Sequence, residues 1–383
     1  MPSLLRSLAT PIALGALALI AASGARAESF TVTNLVTDDA SANPAPLVDP
    51  QLVNPWGVSY GPTSPFWVSD NGTGVSTLYT VDPTTNATSK NGLVVSIPGE
   101  GNVTGQVFNS AGSSQFSGDL FLFGSEDGTI SGWQPSLGTS AAVRHLGNGE
   151  SYKGLALSGS GSSALLYGAN FASGKVDVYD VSFMPTLNGS FLDPNLPSGY
   201  APFNVQNLGG TIFVTYALVG PTGDDVAGPG IGIVDAFNPQ GVLQRRVATG
   251  GVLNSPWGLA IAPGTFGSLA GSLLVGNFGD GRIHAFDPTT GTELATLTDG
   301  LGNPIAIDGL WSLTPGNGAA AGSPGSIYFT AGPDDESHGL FGVIAVVPEP
   351  GTLALLGSAV FGLACARRRR PSEAAMPSRR RSL

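Results

Sequence analysis

The sequence predicts an all-β protein: a six-bladed β-propeller whose N-terminal strand closes the last blade, with short helical signal segments at both ends. Three observations predict it. Gly and Pro number 56 and 29 in 383 residues and are interleaved with Val, Ile, Leu and aromatics, the composition of many short strands joined by turns. A Gly-apolar anchor recurs with a period of about 50 residues. Each anchor is followed by further short apolar runs bounded by Gly, Pro, Asn or Asp, which fill the span of one four-stranded blade.

The anchors read "PWGVSYGP" (Pro55–Pro62), "KGLALSGS" (Lys153–Ser160), "PWGLAIAPG" (Pro256–Gly264) and "DGLWSLTPG" (Asp308–Gly316), which align Gly57, Gly154, Gly258 and Gly309. About two periods separate the first three glycines and about one separates the last two, so two units are hidden. They begin at "GQVFNS" (Gly105–Ser110) and "FNVQNLGG" (Phe203–Gly210). Second strands follow as "FWVSDN", "DLFLFGSE", "ALLYGANF", "TIFVTYAL", "SLLVGNF" and "SIYFTAG". Third strands follow as "STLYTVDP", "TISGWQPS", "KVDVYDVS", "GIGIVDAFNP", "RIHAFDP" and "FGVIAVV". A fourth reads as "LVVSIP", "AAVRHLG", "GVLQRRVAT" and "ELATLTD", while "GSFLDPNLPSGYAP" after the third unit reads as loop. The sixth unit ends after its third strand, at Val347. The chain's first strand, "SFTVTNLV" (Ser29–Val36), has no partner before it and is expected to supply the missing outer strand. That exchange removes two open sheet edges. A β-sandwich or β-helix fits the period less well than four-stranded blades.

The two ends read as addresses. Arg6, an apolar stretch from Leu8 to Ala22, and Ala25-Arg26-Ala27 make a secretory signal peptide over residues 1–27, with cleavage expected after Ala27. The alternative is an uncleaved anchor. At the other end, Pro348-Glu349-Pro350 precedes an apolar run, Thr352–Ala366, and Arg367, Arg368, Arg369 and Arg370 close it. The run is short for a membrane span, which needs about 17–25 residues, and the arginines favour the cytoplasmic side. This order of parts resembles a PEP-CTERM sorting signal over 348–370. The resemblance implies a short transmembrane helix, an exosortase as partner, export to the cell envelope or surface, and membrane contact only through this segment. The basic tail 371–383 departs from the usual pattern, which stops soon after the arginines.

The expected body, 28–347, is strongly acidic. Of 16 basic residues nine lie at the ends, and of 27 acidic residues only Glu349 and Glu373 do, so the body carries seven against 25, a net charge of about −18. Such a surface repels nucleic acid and anionic lipid. The one cysteine, Cys365, lies in the C-terminal segment, so no intrachain disulfide braces the body.

The body itself resembles a family of uncharacterised bacterial proteins with a propeller-like domain, many of which carry PEP-CTERM tails. The resemblance rests on "NPWG" (Asn54–Gly57), "FLDPNLPSGYAPFNVQNLGG" (Phe191–Gly210), "SPWGLAIAP" (Ser255–Pro263) and "GNFGDGRIHAFDP" (Gly276–Pro288). It implies the fold and assigns no activity and no catalytic residue.

Propellers bind ligands on the face where the loops before first strands meet those after second strands. Trp56, Lys153, Trp257 and Asp308, each before an anchor glycine, are the candidate ligand-binding residues. Asp70, Glu126, Asn170 and Asn277, after second strands, are the candidate metal ligands, because hard cations such as Ca²⁺ take a ring of such oxygens. The plainer reading of the four is turn chemistry, since Asn and Asp hydrogen-bond their own backbone before Gly-rich loops. For the tryptophans it is core packing. "GDDVAG" (Gly223–Gly228) and "GPDDESHG" (Gly332–Gly339) read as solvated acidic insertions. Gly57-Val58-Ser59-Tyr60-Gly61 matches a nucleophile-elbow pattern, but inside a strand rather than at a strand-to-helix turn. His145, His284 and His338 have no metal-ligand spacing. The sequence therefore points to an exported surface or matrix propeller with a binding or structural role, with cell-envelope polysaccharide as a candidate partner. A metal-assisted hydrolase or lactonase on the central face is the alternative.

Overall fold

The computed structural model describes residues 28–100 and 102–347. The expected signal peptide, the sorting segment with its short helix and the basic tail lie outside the described residues. No helix among those described is long and apolar enough to cross a membrane.

Six sheets form six blades, antiparallel throughout except for one short parallel pair, Leu47–Val48 beside Phe30–Thr37. In chain order their inner strands are Pro55–Ser59, Val103–Phe108, Tyr152–Ser158, Tyr200–Leu208, Pro256–Ile261 and Leu310–Pro315. The first five blades run outward in sequence order. The last is built from Leu310–Pro315, Ile327–Ala331 and Leu340–Val346, with Phe30–Thr37 as its fourth strand and the short Leu47–Val48 outside that. Pairing runs from Phe30 opposite Val346 to Thr37 opposite Leu340, with a bulge between Asn34 and Val36. The chain thus closes its ring with its own N-terminus, as the unpartnered first strand predicts.

Two fourth strands differ from expectation. In the first blade Thr88–Lys90 takes that place, and part of the expected "LVVSIP" run, Val95–Ser96, pairs with the start of the third strand instead. In the third blade a two-residue strand, Pro185–Thr186, lies just before the stretch read as loop and pairs with Val178 and Tyr179. The loop itself is pinned by Asp193, which pairs with Arg246 of the fourth blade.

Between neighbouring blades lies one hydrophobic cluster each, six in all, and a seventh sits on the axis. The anchor glycines explain how the inner strands come together. A Cβ on Gly57 would stand 2.5 Å from the Thr104 carbonyl oxygen, and one on Gly105 would run into the backbone of Gly154 and Leu155. Both contacts are with backbone, which cannot yield. The repeat therefore records close approach of successive inner strands around the axis.

Candidate functional site

Every inner strand begins with a bulge, between Pro55 and Val58, Val103 and Gln106, Tyr152 and Leu155, Pro202 and Asn204, Pro256 and Gly258, and Leu310 and Leu313. A bulge re-aims a side chain. The residues placed at this point are Trp56, Thr104, Lys153, Phe203, Trp257 and Trp311. Four of them form the axial cluster with Phe171, Ala201 and Ala217, against which Phe278 packs. Trp56 stacks on Trp311 at 3.6 Å and Trp311 on Phe278 at 4.0 Å, while Trp257 meets Trp56 edge-on at 6.2 Å.

Of the four candidate ligand-binding residues, Trp56, Lys153 and Trp257 share this layer. Asp308 does not: the strand register puts Trp311 at that position, three residues further on. The "DGLW" alignment matched the wrong glycine, because Ser312 stands where the other anchors have Gly. Asp308 instead accepts a hydrogen bond from the Asp334 N–H at the rim, 2.9 Å.

The Trp257 indole N–H donates to the Lys153 carbonyl at 3.0 Å and that of Trp311 to Asn54 Oδ1 at 2.9 Å. The Trp56 indole N–H is buried with no partner among the described residues. Lys153 is 5 % exposed, pairs with Glu126, and holds its ammonium 5.4 Å from the Trp56 ring centre and 5.8 Å from that of Phe171. The rings and the carboxylate together make burial of this cation tolerable.

The candidate metal ligands each have hydrogen-bond partners of their own. Asp70, Asn170 and Asn277 stand opposite the first residue of their own inner strand. Each bonds within its blade: Asp70 accepts from the Thr77 N–H, Asn170 accepts from the Ser151 and Ser173 N–H groups and donates to Asp177, and Asn277 accepts from the Asn254 N–H and donates to Val252 and Asp280. Burial holds the Asp70 carboxyl well above the usual range; Asp49 pushes the same way, against the Thr77 hydrogen bonds and Lys90. Glu126 lies one residue beyond the equivalent point, which Ser125 occupies. It accepts from Asn71 Nδ2 at 3.2 Å. Among the described residues no three His, Cys, Asp or Glu side chains are grouped to hold a metal ion. His145 bonds Tyr179, His284 bonds Thr296 and His338 bonds Asp38. Ser59 ends its strand, and no helix follows it.

The acidic insertions, read as solvated loops, both fold over the mouth. Asp224, Asp225, Asp308, Asp335, Glu336 and Phe278 line a cavity of about 430 Å³. Asp334, Asp335 and Glu336 all have left-handed backbones, φ 58°, 50° and 65°, a conformation uncommon outside Gly. This turn returns Glu336 to accept a 2.5 Å hydrogen bond from Asn54 Nδ2. Burial raises the Glu336 carboxyl; the Asn54 bond opposes that, Glu126 adds to it, Lys153 lowers it and Asp225 raises it. Asp225 is also raised, by burial first, against Ser255 and Lys153. The signal in the sequence was the density of acid in two loops of a chain with only 11 % charged residues.

The family model of the PEP-CTERM protein-sorting motif matches residues 346–370, which implies export to the cell envelope or surface and recognition by an exosortase. An uncharacterized protein of Acanthamoeba polyphaga mimivirus, R648, is 32 % identical over 79 % of this chain and 77 % of its own length. This chain belongs to the same family. A second mimivirus member, the uncharacterized protein L690, is 31 % identical over 77 % of this chain and 80 % of its own. Among solved structures, a glucose dehydrogenase superposes with a TM-score of 0.50 at 12 % identity, over 83 % of this chain and 100 % of that one. At that identity the likeness is one of fold alone.

Proposed function

We propose that the protein is an exported binding protein of the cell envelope, which takes an amino-bearing polysaccharide of that envelope at the acidic mouth of its channel. In this reading residues 1–27 are removed on export, 348–370 are the exosortase address, and the body is a member of the bacterial propeller family that its sequence resembles. The observation that carries the reading is the pairing of carboxylates with a stack of rings. Phe278 lines the cavity and is the outer end of the Phe278–Trp311–Trp56 stack. Around it Asp225, Asp308, Asp335 and Glu336 add to Glu126 and Asp224, the two acids within 4.0 Å of Lys153. One ammonium leaves most of that charge uncompensated. A ligand cation satisfies the carboxylates and is drawn to the ring face as well, while the apolar face of a sugar ring covers Phe278.

The test is tryptophan fluorescence of the 28–347 body titrated with fully deacetylated and fully N-acetylated glucosamine oligomers. Saturable quenching by the deacetylated form alone, lost in Asp225→Asn/Glu336→Gln and weakened in Phe278→Ala, is the expected result. Equal quenching by both forms, or none, overturns it. The metal-assisted hydrolase reading uses the same mouth. It would be favoured by a Ca²⁺-dependent rise in melting temperature that Asp225→Asn/Glu336→Gln abolishes.

A further inference from the structure

The opposite end of the channel has a different chemistry. Below the bulges the inner strands carry Val58, Gln106, Leu155, Val205, Leu259 and Leu313 at one level and Ser59, Val107, Ala156, Gln206, Ala260 and Thr314 at the next, by the register of each strand with its neighbour. Five of the latter six line a cavity of about 290 Å³ that opens where the inner strands end, away from the acidic mouth. Its remaining wall includes Tyr60, Phe108, Leu155, Leu157 and Asn207. No charged side chain lines it.

Gln106 stands out at its level, where the other five blades have Val or Leu. It is 5 % exposed. Its Nε2 donates to the Gly57 carbonyl at 2.9 Å and to the Trp67 carbonyl at 2.8 Å. Both partners are acceptors only, so the amide cannot be flipped and the acceptor Oε1 is fixed. That oxygen is buried and has no partner among the described residues, and neither has the Ser59 hydroxyl. Gln106 lines the 290 Å³ cavity and also a smaller one, about 20 Å³, that continues from it toward Trp257. A buried acceptor without a donor is destabilising. A hydroxyl that enters from the cavity and displaces the wall over either oxygen satisfies it.

We propose that this end of the channel is a second ligand site, for an uncharged pyranose at the end of a saccharide chain. A sugar ring offers hydroxyl donors to Gln106 and Ser59 and C–H faces to Tyr60, Phe108 and Leu157. A charged group would be desolvated here without a counter-charge. The volume lies at the lower end of small-molecule pockets, about 300 Å³, which suits a terminal ring and not a long segment.

The experiment is calorimetry and saturation-transfer NMR on the 28–347 body with four uncharged methyl glycosides (gluco, manno, galacto and N-acetylglucosamine) and with methyl glucuronide as the anionic control. At least one uncharged glycoside should bind saturably and the glucuronide should not. Gln106→Leu and Ser59→Val should each weaken binding by about tenfold or more. Leu stands at the first position in three other blades and Val at the second in one, so both side chains suit the ring. If Gln106→Leu loses its fold, Ser59→Val carries the test alone. Asp225→Asn/Glu336→Gln, at the other mouth, should leave this binding unchanged, so failure here is distinguishable from failure of the acidic-mouth reading. No saturable binding by any of the four, affinity unchanged in the folded variants, or loss of binding on changing the acidic mouth each overturns the proposal.

Discussion

Replacing Phe30 by Ala tests ring closure at one side chain. Phe30 is the first residue of the N-terminal strand and lies opposite Val346. It is 1 % exposed, its ring is 5.0 Å from that of Phe266, and it belongs to the cluster between the fifth and sixth blades. Truncating a buried Phe to Ala costs about 3–5 kcal/mol, because transfer and cavity terms add. An unfolding entropy of about 2.1 cal/mol/K per residue over residues 28–347 converts each kcal/mol into about 1.5 °C. Differential scanning calorimetry should therefore show a melting temperature lower by about 5–7 °C. Val32, on the same strand and 39 % exposed, is the control; Val32→Ala should stay within about 1 °C, since exposed sites rarely exceed about 0.5 kcal/mol. Equal small shifts in both variants would show that this strand does not seal the core, whatever its backbone pairing.

Gly105→Ala places a methyl group against the Gly154–Leu155 backbone, whereas Gly92 has open space around it; the first should lose about 3 kcal/mol or more by denaturant titration and Gly92→Ala should lose almost nothing, with equal losses refuting the close-approach account. Asp70→Asn probes the buried carboxyl. Its folded-state value is raised above the ordinary 3.8, so the wild type is most stable below that pH and loses stability as pH rises toward the raised value; the Asn variant should match it near pH 4 and exceed it at pH 7, and a gap independent of pH would refute the assignment. Mass spectrometry of surface-released protein should find an N-terminus at Glu28 and no peptide containing Arg367–Arg370; an intact tail in the released form would contradict cleavage by an exosortase.

The fold was legible because it repeats. Six copies of one strand pattern average out the ambiguity of any single apolar run, and the anchor Gly recurs for a steric reason that acts in four blades alike. The places where the reading slipped are places where one blade departs from the others. Asn204 and Ser312 stand where four blades have Gly, and at Ser312 the nearby Gly309 offers a false match that puts Asp308 in the place of Trp311 at the bulge. The fourth strand of the third blade is only two residues long, too short for alternation to show.

The candidate sites were hardly legible, and the same repetition explains why. Asp70, Asn170 and Asn277 attracted notice by recurring, and recurrence is what a turn device does: each is spent on the loop of its own blade. The groups left with unmet chemistry do not recur. Asp225 and Glu336 come from insertions in two blades and meet only because those loops fold over one mouth, a proximity of residues more than a hundred apart that no local pattern records. Gln106 is one polar residue at a level that is otherwise Val and Leu, visible only once the register fixes which residues share that level. In a closed ring of similar units, symmetry builds the frame, and a site for an asymmetric ligand has to be sought where the symmetry breaks.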